Sequence, residues 1–177
     1  MKLASSLLIL LTAAHASARP LPQKTNACQI LTRADLAAVQ GEAYADARLT
    51  ERGDTSQCFY ELPSFVKSVS IDVTRGGGRK FFRENFPAEK EDREARERAE
   101  KRRGGDEAEE KAEAIKRPPK RVRGVGSDAY WVGSRIAGSL FVLKGDSYLR
   151  VSPGGPGTED EKIARAKELA RRALRRM

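Results

Sequence analysis

Histidine is almost missing from this chain: His15 is the only one, and it lies within the first twenty residues. Cysteine is nearly as scarce, with Cys28 and Cys58 alone, and Trp131 is the single tryptophan. These shortages exclude whole classes of chemistry. A chain without a histidine in its folded part has no His-based nucleophile system, no His-ligated zinc and none of the usual general bases near neutral pH. Two cysteines cannot build a Cys-rich metal cluster. No metal and no cofactor is therefore expected. Long apolar runs are lacking too: the only candidate, Leu3–Leu11, is shorter than the about 20 residues a membrane helix needs.

That short run has a different meaning. Lys2 precedes it, and Ala16-Ser17-Ala18 follows with the small-x-small pattern of a signal-peptidase site, so residues 1–18 read as a signal peptide and Arg19 as the new N-terminus. No cysteine stands at the cleavage point, which argues against lipid attachment there. The expected destination is periplasmic or secreted. In that compartment an even pair of cysteines reads as a disulfide, Cys28–Cys58, which constrains the unfolded chain by roughly 3–4 kcal/mol. The formal charge of +9 favours polyanions such as nucleic acid, anionic lipid or acidic glycan without bearing on fold.

The densest apolar stretch is Gly124–Val151, which divides by period-2 alternation into strands at Ala129–Ser134, Ser139–Lys144 and Tyr148–Ser152. Gly145 and Asp146 supply the hairpin turn between the last two. The middle strand, Leu140-Phe141-Val142-Leu143, is apolar on both faces and must be covered twice. Further strands are expected at Gln57–Leu62 and Val66–Thr74, whereas Glu42–Ser56 lacks a period and reads as loop.

Two helices carry their own boundaries. Thr32 and Asp35 form a capping box, with Leu31 and Leu36 as hydrophobic staple and Gly41 at the C-terminal end. Thr158 caps a last helix with Glu159, Asp160 and Glu161 in its first turn. Its stripe of Ile163, Ala166, Leu169, Ala170, Ala173, Leu174 and Met177 should dock on the sheet. A third helix should begin soon after Arg75-Gly76-Gly77-Gly78-Arg79-Lys80. A Gly-rich loop of that kind can cradle phosphate, but the P-loop spacing is absent and a flexible basic turn is the plainer reading. From 87 to 120 the chain is almost all Glu, Lys, Arg and Ala, with acid and base nearly balanced and no apolar seam. It reads as a solvated, partly helical insert. The expected whole is α+β: one domain over 19–177, an antiparallel sheet of about five strands with the N- and C-terminal helices on one face, and the charged insert.

Three motifs carry a family resemblance: Cys28-Gln29-Ile30-Leu31-Thr32 leading to Asp35 and Gly41, Cys58-Phe59-Tyr60 at a strand start, and Gly124-Val125-Gly126-Ser127-Asp128-Ala129-Tyr130 followed by the Lys144-Gly145-Asp146 hairpin and an Ala/Leu-rich last helix. In this order the chain resembles a family of small exported, often lipoprotein-like bacterial domains of unknown function, similar to extracellular sensor domains of receptor kinases. The resemblance implies an α+β domain with an antiparallel sheet and a disulfide, and carries no catalytic residues.

The leading functional expectation is a non-catalytic binding or sensor-like module of the cell envelope. Its partner would be an apolar small molecule, a peptide or an envelope component, with nucleic acid disfavoured. Its site is expected on the second face of the central strands, where Tyr130, Val132 and Tyr148 meet Phe82 and are joined by either Phe141 with Leu143 or Leu140 with Val142, with Phe141 the candidate taken. Either Phe81, Phe82 and Phe86 fold over that face, or an apolar groove stays open there. The alternative is a polyanion binder using Arg75, Arg79, Lys80, Arg121, Arg123, Arg171, Arg172, Arg175 and Arg176. An enzyme built on Asp72 and Asp128 is the weakest reading, since each has an ordinary structural place.

Overall fold

A computed structural model describes residues 26–86, 118–134 and 136–177. The segment expected to be a signal peptide, residues 1–18, and most of the expected charged insert lie outside them. The described chain is α+β, built on one antiparallel sheet of seven strands, not five. In chain order these are β1 (Asp46–Arg52), β2 (Thr55–Glu61), β3 (Val69–Thr74), β4 (Lys120–Arg121), β5 (Asp128–Gly133), β6 (Gly138–Lys144) and β7 (Ser147–Pro153). Across the sheet the order is β1-β2-β3-β7-β6-β5-β4. The helices are α1 (Arg33–Gln40), α2 (Gly78–Asn85) and α3 (Glu159–Leu174), with short 3-10 turns at Ala27–Gln29 and Phe65–Lys67.

The two additional strands are the two edges. β1 occupies the segment expected to be loop; six of its seven residues are exposed, so no buried face imposes alternation on its sequence. Arg48, Glu51 and Arg52 put charge along this edge, which blunts pairing with another chain. β4 is only two residues long and follows Pro118-Pro119, whose missing N–H groups end the ladder. The expected strand from Val66 is shortened, because Phe65–Lys67 curl into a 3-10 turn before β3 begins.

The first face of the sheet carries the main core. Cys58, Tyr60, Val69, Ile71, Val73, Leu149, Val151, Leu140, Val142, Ala129 and Trp131 are all buried there against Leu36 of α1 and Ala166, Leu169, Ala170 and Ala173 of α3. Trp131 lies flat over Gly138, where a Cβ would fall 2.1 Å from its ring, and its Nε1 donates to Glu159 Oε1 at 3.1 Å. The N-terminal segment is stitched to β2 three times: by the Cys28–Cys58 disulfide, by Ala27 N–H donating to Ser56 Oγ (3.1 Å), and by Tyr60 O–H donating to the Ala27 carbonyl (2.7 Å).

Both capping boxes form, on Thr32/Asp35 and on Thr158/Glu161. Asp35 does more than cap. Its carboxylate is buried and accepts from Arg172 Nη1 at 3.1 Å and Arg176 Nη1 at 2.8 Å, which ties α1 to the end of α3. Burial pushes the Asp35 carboxyl up. The Thr32 backbone N–H, the Thr32 hydroxyl and the two guanidiniums outweigh it and hold the group at about 2. Since the folded-state pKa lies below the ordinary value of 3.8, the stabilisation is complete above pH 4 and is lost as pH falls toward 2. Asp35→Asn should therefore cost about 2 kcal/mol at neutral pH, and the gap to the parent should close between about pH 4 and pH 2. Urea unfolding across that pH range measures it; a gap independent of pH would show that the clamp is not electrostatic.

Candidate functional site

The second face of the sheet is read most easily as three rows running across the strands. The register aligns Thr55, Thr74, Tyr148, Leu143 and Asp128 in one row, and Gln57, Asp72, Arg150, Phe141 and Tyr130 in the next. The third is Phe59, Ser70, Ser152, Ser139 and Val132. The apolar members of the first two rows, Tyr148, Leu143, Phe141 and Tyr130, gather on β5–β7, and that is where α2 lies.

Its placement is enforced by two turns that lock together. Gly76 and Gly77 adopt positive φ, and Gly78 sits so close to the β6–β7 hairpin that a Cβ would meet the Asp146 carbonyl at 2.8 Å. The Asp146 carboxylate accepts from Gly77 N–H (3.0 Å) and Arg79 N–H (3.2 Å), while its carbonyl accepts from Gly78 N–H (2.8 Å). The N–H groups of Arg79 and Gly77 hold the Asp146 carboxyl below its usual value. The Gly-rich loop thus makes an anion cradle whose anion is the protein's own carboxylate, which leaves the phosphate reading without donors.

From that anchor α2 delivers three aromatic rings. Phe81 stacks on Tyr148 with centroids 4.5 Å apart, Phe86 stacks on Tyr130 at 4.8 Å, and Phe82 meets both tyrosines edge-on at 6.3 Å. Of the five residues expected to line a ligand site, Phe82, Tyr130, Phe141 and Tyr148 are together here, packed against the chain's own side chains. The fifth, Val132, is 37% exposed and lies in the third row, outside the cluster.

The third row is open. It forms part of a groove of about 470 Å³ with Phe59, Ser70 and Ser152 along it and Val66 and Ile136 at its sides. Both walls are pinned. The Phe65–Lys67 turn is held by Glu42, which accepts from Ser64 N–H (2.9 Å), Ser64 Oγ (2.7 Å) and Lys67 Nζ (2.7 Å). The Lys67 ammonium first, then the Ser64 N–H and hydroxyl, lower the Glu42 carboxyl to about 2. The β5–β6 turn is held by Lys162, a buried lysine of α3 whose Nζ donates to the Ile136 carbonyl at 2.7 Å. The polar anchoring leaves apolar side chains facing out: Phe65 is 65% exposed, Val66 70% and Ile136 87%. Among the described residues, four of the five exposed large apolar side chains, Val132 included, stand at this end of the sheet, and Leu49 lies elsewhere.

A second, smaller cleft of about 270 Å³ opens where Arg52, Gln57, Asp72 and Arg150 meet. Asp72 is paired with Arg150 Nε at 2.8 Å, and Asp128 with Arg121 Nε at 3.3 Å. Their strands, β3 and β5, are three steps apart in the sheet, about 14 Å, so the two carboxylates do not form an acid–base pair.

The nine cations of the alternative reading do not form one patch. Arg75, Arg79 and Lys80 belong to the α2 side, and Arg79 Nε donates to the Gly145 carbonyl at 3.2 Å. Arg172 and Arg176 are held by Asp35. Arg121, at the β4 edge, is paired with Asp128 on the second face, while Arg171 donates to the Gly124 carbonyl from both Nε and Nη2 at 3.2 Å. What sequence reasoning missed is the groove and its anchors. The only signal was the pair of apolar residues, Phe65-Val66, at the head of an expected strand.

The lock between the glycine turn and the hairpin is testable alone. Asp146→Ala should lower hydrogen-exchange protection of the α2 amides by about tenfold while leaving β3 and β7 amides unchanged, because one end of the helix loses its acceptor. Equal loss across the sheet would mean that α2 does not open separately. Comparisons with protein-family models, with curated proteins and with solved structures find no match to this chain.

Proposed function

We propose that this protein is an exported, non-catalytic binding module whose ligand occupies the groove on the open third row. The observation that carries the reading is the groove itself: a depression of about 470 Å³, within the size range of small-ligand sites, with pinned walls and exposed apolar rims. Its chemistry fits an apolar or amphipathic ligand, a small molecule or short peptide, that lays hydrophobic groups against Phe59, Val66 and Ile136. Ser70 can offer a hydroxyl to a polar group of that ligand. The Cys28–Cys58 disulfide fits an oxidising compartment, and no helix among the described residues is long and apolar enough to cross a membrane.

Two measurements test the reading. Intact mass of the protein recovered from the expressing cell's envelope or medium should correspond to loss of the first 18 residues and of two hydrogens; retention of the leader would refute export by cleavage. An environment-sensitive apolar dye should bind saturably at one site, with little dependence on salt. Val66→Asp with Ile136→Asp should abolish that binding with the thermal transition preserved, whereas Arg123→Gln should not affect it. Binding undiminished by the wall substitutions would place the site elsewhere.

A further inference from the structure

Helix α3 carries its arginines and lysines in two registers with opposite fates. Glu168, Arg172 and Arg176 repeat every four residues and face α1. There Glu168 accepts from Arg172 at 2.8 Å, and both arginines hold the buried carboxylate of Asp35. Lys167, Arg171 and Arg175 repeat at the same interval, one residue earlier, and therefore form a neighbouring row on the helix surface. A step of four residues advances about 6 Å along a helix, so the row spans about 12 Å.

At its middle the row meets the loop after β4. A Cβ on Gly124 would lie 3.4 Å from Lys167 Nζ and 3.6 Å from Arg171 Nη2, so two cations converge over this loop. Exposed Arg123 adjoins it in the chain. The acids nearby are engaged or marginal: Asp128 is paired with Arg121 at 3.3 Å, and Glu168, paired with Arg172, reaches only to 3.9 Å from Arg171 Nη1. Lys167, Arg175 and Arg123 have no carboxylate partner among the described residues. Converging cations without counter-charge repel one another, and an external polyanion relieves that repulsion.

The surroundings choose among polyanions. A base-stacking nucleic-acid surface needs exposed aromatic rings beside its cations, and a membrane surface is strengthened by exposed apolar anchors. Phe65, the one exposed large aromatic among the described residues, stands at the groove end of the sheet, as do Val66 and Ile136. The C-terminal end of α3, where the row finishes, is the opposite end, next to Lys144. We propose that Lys167, Arg171, Arg175 and Arg123 form a docking row for a linear acidic polysaccharide, a surface separate from the groove.

Fluorescence anisotropy with labelled polygalacturonate, titrated with the oxidised full-length protein at several salt concentrations, tests this. The expected result is binding at about 20 mM salt that weakens steeply toward about 150 mM. Lys167→Gln with Arg175→Gln, which spares the Arg171–Gly124 contact, should weaken binding about tenfold at low salt and reduce the salt slope by up to about two. Arg171→Gln added to the pair should weaken it further. Arg52→Gln with Lys80→Gln removes the same charge from exposed sites off the row and should change affinity less than about twofold. Thermal transitions of all variants check folding. Absence of binding at low salt, equal loss in the off-row variant, or tighter binding of single-stranded DNA or phosphatidylglycerol vesicles through the same residues would each overturn the proposal.

Discussion

The fold depends on one constraint, that β6 is apolar on both sides. Leu140 and Val142 point to one face and Phe141 and Leu143 to the other, so a single-layer cover leaves half of the strand's apolar area in water. The first face is closed by α1 and α3, which the Asp35 clamp holds together, while the disulfide ties the segment before α1 to β2. Among the described residues the second face receives one eight-residue helix. Phe81 and Phe82 within it and Phe86 at its C-cap suit that task, since large rings cover the most area per residue. A helix of that length cannot extend over the third row as well, and among the described residues nothing else covers it.

Much of this was legible because it is encoded locally. The capping box at Thr32, the N-cap at Thr158, the period-2 alternation of β3 and β5–β7, and the Gly145-Asp146 hairpin each draw on residues within a few positions, and each is present. Parity separated Tyr130 from Trp131 and Phe141 from Leu140, but only the pairing register shows that Tyr130, Phe141 and Tyr148 share one face. β1 was illegible for the converse reason: with both faces toward solvent, nothing selects alternation, and only its pairing to β2 makes it a strand. The groove was illegible because its walls are fixed by distant partners. Lys162 reaches Ile136 across 26 positions and Gln40 reaches the Lys67 carbonyl across 27. A buried lysine in an otherwise apolar helix stripe carries no signature that it will hold a turn.

The cations make the same point more sharply. By composition Arg171, Arg172, Arg175 and Arg176 are equivalent, a basic helix end that suits the dipole. In the structure the dipole is answered by Lys144, whose Nζ donates to the Leu174 and Met177 carbonyls at 2.7 and 3.0 Å. That frees the arginines for other work, and helical register divides them. The pair at 172 and 176 neutralises a buried acid, and the row at 171 and 175 keeps its charge. A one-residue offset therefore separates stabilising charge from charge available to a partner, a distinction that net charge and pI cannot express.

The two surfaces also differ in what they demand of a ligand. The groove end gathers Phe65, Val66, Val132 and Ile136, with nearby Glu42 and Lys67 already paired, so attraction there is short-ranged and insensitive to salt. In the proposed α3 row, Lys167 and Arg175 have no carboxylate partner among the described residues, so attraction there would be long-ranged and screened within about 10 Å at 0.1 M salt. Because the two lie at opposite ends of the sheet, an apolar ligand and an acidic chain need not compete. Occupancy of one leaves the contacts of the other unchanged unless the sheet itself moves. With β3 and β7 paired along their length over the main buried cluster, the sheet is the part of the molecule least able to move.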